Sequence, residues 1–204
     1  MKNTLVIHPS DSTTDFLKPI YEGIDVTLIT GGVTQTELIE MINGHSRIML
    51  MGHGAANGLF SVGQFPGSDS LIIDRTFIEC LEKKKDKMFI WCHADAFVGR
   101  WNLDGFYTGM FISEVYEADD CGISNVTKEM VEESNTLFSK VIKGCVNKDI
   151  KSIFHEVKEH YGTIVETNPV AAYNHYRLCA KTGNRIIGER PDIFDVLNRV
   201  RIKV

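Results

Sequence analysis

Apolar runs at residues 5–8, 26–30, 47–51, 88–92 and 110–114 are each the length of one buried strand, and most are separated by segments of helical periodicity. Parallel neighbours need a long crossover, and a helix supplies it. The order strand, helix, strand, helix, strand therefore predicts an α/β fold: a mainly parallel sheet with helices on both faces. A chain of 204 residues suits one well-buried core better than two, so a single domain over residues 1–204 is expected.

The helices carry their own punctuation. Thr34-Gln35-Thr36-Glu37 has capping-box spacing, and Gly44 is placed to end the helix that it opens. A second helix is expected from Asp74 to about Lys85, with Phe77, Ile78 and Leu81 on one face. Its Lys83-Lys84-Lys85 end suits the negative pole of a helix. Longer helices are expected over residues 127–143, with Met130, Val131, Leu137, Phe138 and Val141 as core positions, and over 149–161. The part from Asn168 onward, with Pro169, Gly183 and Gly188, reads as less regular.

A net charge of −5 offers no broad positive field, which argues against nucleic acid as a partner. The N-terminal apolar block is too short for a signal peptide, and no stretch approaches a membrane span, so no membrane association is expected. Cys80, Cys92, Cys121, Cys145 and Cys179 are odd in number and widely spaced, a pattern that suits free thiols and a cytoplasmic location. Most such thiols simply pack in a core.

In open parallel sheets, chemistry gathers beyond the carboxyl ends of the strands. Two such ends stand out here: Met51-Gly52-His53-Gly54 and Trp91-Cys92-His93-Ala94-Asp95. A histidine between glycines at a strand end is backbone-permissive and need not be in a core. An ordinary thiol is only a few per cent thiolate at neutral pH, and a neighbouring imidazole can take its proton during attack. A metal site built from His53, Cys92 and His93 matches no common zinc spacing, and Gly31-Gly32 lacks the lysine of a phosphate loop, so no metal and no cofactor are expected.

These two strand ends, 39 residues apart, resemble the caspase-like cysteine peptidases, a group that includes caspases, metacaspases, legumains, gingipains and CHAT proteins. Met49-Leu50-Met51-Gly52-His53-Gly54 and Phe89-Ile90-Trp91-Cys92-His93 carry the resemblance, which covers residues 3 to 115 in element order. It implies a caspase-like three-layer α-β-α sandwich and a cysteine endopeptidase acting on a peptide or protein substrate. His53 would be the proton shuttle, Cys92 the nucleophile, and the Gly54 and Cys92 amides the oxyanion hole. Residues 110–114 would line the substrate groove by strand pairing.

Asp11, Ser113 and Glu114 are the candidate substrate-binding residues, and either acid could favour a basic side chain at the cleavage position. Glu117, Asp119 and Asp120 read as a solvated cluster. Trp91, Trp101, Phe106 and Tyr107 could wall the groove or belong to the core. A second register, Asp95-Ala96-Phe97, would put Phe97 in the nucleophile's place and mean a dead enzyme. The rival to a peptidase is a catalytically inactive caspase-like module that binds protein through the same crevice or the exposed edge of its sheet.

Overall fold

The computed structural model describes residues 3–68 and 70–188. Among them, seven strands form one sheet: β1 (Thr4–Ile7), β2 (Thr27–Ile29), β3 (Arg47–Met51), β7 (Asp86–Ile90), β8 (Gly105–Thr108), β9 (Leu178–Thr182) and β10 (Arg185–Ile187). Their order is β10-β9-β8-β7-β3-β1-β2, with the last five parallel and with β9 and β10 antiparallel to their neighbours. Between β3 and β7 lies a small antiparallel sheet of β4 (Gly54–Ala55), β5 (Gly58–Phe60) and β6 (Leu71–Ile73).

The two-residue period of the strands divides their side chains between two cores. Val6, Met49, Met51, Met88, Ile90 and Phe106 enter one core. A 3-10 segment at Ser12–Ile20 covers it with α5 (Lys128–Cys145) and α6 (Ile150–Tyr161). Leu5, Ile7, Ile48, Leu50, Phe89 and Tyr107 enter the other, under α1 (Gln35–Gly44), α2 (Ile78–Glu82) and α3 (Ala94–Arg100). Full burial of one large aliphatic side chain contributes roughly 1.5–3 kcal/mol, so this alternation fixes the register.

The Thr34 capping box closes as its spacing requires: Thr34 N–H donates to Glu37 Oε2 at 2.7 Å, and Glu37 N–H to Thr34 Oγ1 at 3.3 Å. The helix expected from Asp74 begins as a 3-10 turn at Arg75–Phe77, with Asp74 accepting from Thr76 N–H, and continues as α2. No helix among the described residues is long and apolar enough to cross a membrane.

Two expectations need correction. Residues 110–114 are not a strand: the sheet position belongs to β8, and Gly109 leaves it by donating its N–H to Arg177 C=O at 2.7 Å. Phe111 and Ile112 are buried outside the sheet, where the Asn174 side chain accepts from Ile112 N–H at 2.7 Å and donates to Ile112 C=O at 2.8 Å. One amide thus satisfies both backbone groups that a neighbouring strand would have satisfied. The part from Asn168 is also regular as far as residue 187, forming α7 (Pro169–Tyr176), β9 and β10. Its remainder beyond residue 188 lies outside the described residues.

Buried cations gather at the opposite end of the sheet from the strand ends singled out above. Arg47 opens β3, Lys87 is the second residue of β7, and both are 1% exposed. Lys87 Nζ donates to the Lys84 carbonyl, and burial pushes its pKa down to about 8. Below that pH, Lys87 is charged in both the folded and the unfolded chain, and the burial penalty is felt in full. Between about 8 and the ordinary 10.5 only the unfolded chain keeps the proton, so stability rises with pH. Lys87→Met should therefore stabilise the protein at pH 7 by roughly 2 kcal/mol, after allowing for the lost hydrogen bond. That gain should vanish by about pH 10.5 when urea midpoints of the two proteins are compared.

Candidate functional site

In the parallel pairing of β3 with β7, Met51 stands opposite Ile90. His53 and Cys92 each lie two residues beyond that pair, so they emerge side by side from strands about 4.8 Å apart. Gly52 makes the turn between, with φ +136° and its N–H donated to Ile90 C=O at 3.1 Å. His53 and Cys92 line one cleft with Thr14, Leu17, Phe111 and Ser113. Its free volume of about 20 Å³ is room for roughly one water.

Cys92 is half-buried in this cleft. Its Sγ faces the Phe111 carbonyl at 3.5 Å, and burial, with Glu117 and Cys121 adding to it, pushes the thiol up to about 11. At pH 7 that leaves on the order of one thiol in ten thousand ionised.

His53 is held from the other side. Its Nε2 lies 2.5 Å from Thr13 Oγ1 and 3.9 Å from Asp11 Oδ2. Thr13 donates to Asp11 Oδ1 through its hydroxyl at 2.7 Å and its N–H at 2.9 Å. These two hydrogen bonds hold the Asp11 carboxyl below its usual range. Asp11, expected at the substrate, is thus bound to Thr13, a residue for which the sequence pattern suggests no catalytic role. The available signal was Asp11-Ser12-Thr13, an Asx turn beyond the end of β1.

Phe60 N–H donates to His53 C=O at 2.8 Å, and Gly54 stands opposite Leu59. In an antiparallel ladder that makes Gly54 a non-hydrogen-bonded position, with its N–H aimed away from β5. Only glycine fits there. A Cβ on Gly54 would lie 2.2 Å from Trp91 Cδ1 and 2.7 Å from Gly58 C=O. Trp91, 2% exposed, also donates from Nε1 to Ala55 C=O at 3.1 Å, which ties the end of β7 to the small sheet.

Ser113 lines the cleft, but its N–H and hydroxyl both donate to Glu117 Oε2, at 2.7 and 3.0 Å. Glu114 caps α4 (Val115–Asp120) and donates its N–H to the same oxygen at 3.0 Å. Glu117, read as solvated, is buried and structural. Because residues 110–114 are not a strand, they offer no ladder edge of this sheet to a peptide. In the second register, Phe97 is fully buried on α3 and packs against Phe89 and Trp91, away from the cleft. Phe106 and Tyr107 belong to the cores, and Trp101 packs beside one of them. Asp95 instead lies 3.9 Å from Arg177. Among the described residues, no three of His, Cys, Asp and Glu converge as a metal site requires. No protein-family model matches the chain, and no curated protein matches it.

Proposed function

We propose that the chain is a cysteine peptidase of the caspase-like kind, and that its sheet with helices on both faces is the caspase-like three-layer sandwich. The observation that carries this reading is the emergence of His53 and Cys92 from adjacent parallel strands into one cleft. Cys92 Sγ attacks the scissile carbonyl carbon while its proton passes to His53. The developing oxyanion is received by the Gly54 and Cys92 amides, the C–N bond breaks, and His53 returns the proton to the departing amine. Water then hydrolyses the thioester, giving its proton to His53 as the thiol is reformed. With a thiol pKa of about 11, proton removal accompanies attack rather than preceding it. A preference for a basic residue at the cleavage position would come from the charge of Asp11 beside His53, since Glu114 caps α4 and neither acid lines the cleft. The odd number and wide spacing of the five cysteines support cytoplasmic residence.

A second reading has its own observation. A half-buried thiol facing a carbonyl in a cleft with room for one water also describes an inert residue in a protein-binding module of the same shape.

The test is incubation with peptide acyloxymethyl ketones bearing Arg, Lys, Asp or Ala at the cleavage position, followed by mass spectrometry. A peptidase should form a thioether at Cys92, fastest with Arg or Lys, and lose it at least 100-fold in His53→Ala. Labelling that ignores His53, or none at any peptide, would favour the binding module.

A further inference from the structure

His53 is gripped by residues 40 positions earlier, and proton counting gives that grip a direction. A threonine hydroxyl has one hydrogen. Thr13 commits it to Asp11 Oδ1 at 2.7 Å, so at its 2.5 Å contact with His53 the same oxygen must accept. Nε2 of His53 then carries the hydrogen, and Nδ1 carries the lone pair.

The turn that presents Thr13 is held in the same one-way fashion. Thr14 donates its hydroxyl to the Asp11 carbonyl at 3.0 Å and therefore accepts from Nε2 of the buried His8 at 3.0 Å. His8 Nδ1 is left to accept from the Tyr21 hydroxyl at 2.9 Å. Asp11 is thus fixed through both its carboxylate and its carbonyl. A plain helix-capping role for Asp11 explains its bond from Thr13 N–H. It does not explain why the Thr13 hydroxyl reaches across to His53.

We propose that Asp11 and Thr13 are positioning residues for His53: together they lock its imidazole as the Nε2–H tautomer and leave Nδ1 as the atom that takes the Cys92 proton. This rests on the peptidase reading for its purpose, though not for its test. Once protonated, His53 would have the Asp11 carboxylate 3.9 Å away to balance the imidazolium.

The measurement is the His53 tautomer, read from two-bond 15N–1H spectra of the intact protein near pH 7.5, in wild type and three variants. Wild type and Thr13→Ser should show the Nε2–H form. Thr13→Val should show a mixture, because its side chain can no longer accept. Asp11→Ala should shift His53 toward Nδ1–H, because a released Thr13 hydroxyl becomes a donor. Nδ1–H in wild type, or an unchanged tautomer in Thr13→Val and Asp11→Ala, would overturn the proposal. Where peptide cleavage is measurable, Thr13→Val should lower kcat about 100-fold with KM held, and Thr13→Ser should restore it. An inactive wild type with the expected tautomers would defeat the peptidase reading and leave the lock standing.

Discussion

Asn174→Ala should cost roughly 4 kcal/mol of stability and at the same time make Cys92 easier to alkylate. Asn174 is fully buried on α7. Its amide holds both backbone groups of Ile112, and its Nδ2 also lies 3.3 Å from Ser134 Oγ. Truncation leaves a buried N–H and a buried C=O without partners, each costing roughly 1–3 kcal/mol. Residues 111–113 are the wall that faces Cys92, so loosening them should open the cleft in the folded state. Two measurements check this: the urea midpoint, and the iodoacetamide labelling rate of Cys92 in the absence of denaturant. A large loss of stability with unchanged labelling would mean that Phe111 is held in place by its packing alone. That packing is substantial, since Phe111 stacks on Phe16 and tilts against Phe138 with ring centres 4.6 Å apart.

The second large effect is acid sensitivity from His8. Burial pushes its pKa down to about 4, with Lys18 adding to the effect, while Asp15 and Asp11 oppose it and His53 adds a little. A histidine depressed in this way contributes stability that is complete above the ordinary 6.5 and is lost as pH falls toward 4, because only the unfolded chain readily takes the proton. The full loss approaches roughly 3 kcal/mol. Comparing urea midpoints of wild type and His8→Gln from pH 7.5 to 4 cancels the titration of other groups. The wild-type advantage should shrink across that window, and a constant difference would show that His8 does not titrate there. Protonation also removes the lone pair that accepts from Tyr21, so the Asp11 turn should loosen over the same range.

Much of the fold could be read from pattern because the long elements repeat their signals. The runs at β1, β3 and β7 are continuous and apolar on both faces, as strands buried under two helical layers must be. The helices after Thr34, Thr127 and Asp149 each begin with a side chain that caps them. What escaped was shorter than its own period. β4, β5 and β6 have two or three residues each, too few for alternation to show. Residues 110–114 look more like a strand than Gly105-Phe106-Tyr107-Thr108 does, and the sheet took the latter because Gly105 permits a close approach to Lys87 and Phe89. β9 was hidden by Lys181, which is buried only because Asp104 and the Asn102 carbonyl meet its ammonium group at 3.1 Å. His53 and Cys92 were visible because each ends a strand. Thr13 was not, since the Asp11-Ser12-Thr13 pattern announces a turn and not a partner 40 residues away.

The antiparallel pairing of β8 with β9 joins Thr108 to Leu178, and so the sheet waits for about 70 residues of chain before that flank can close. At synthesis rates of roughly 5–20 residues per second, β8 spends several seconds as an open edge after it leaves the ribosome. The Asn174 amide that seats Ile112 arrives in the same late stretch. The wall over Cys92 is therefore among the last parts of the molecule to be assembled, and a stalled or truncated nascent chain would display its thiol beside an unpaired strand.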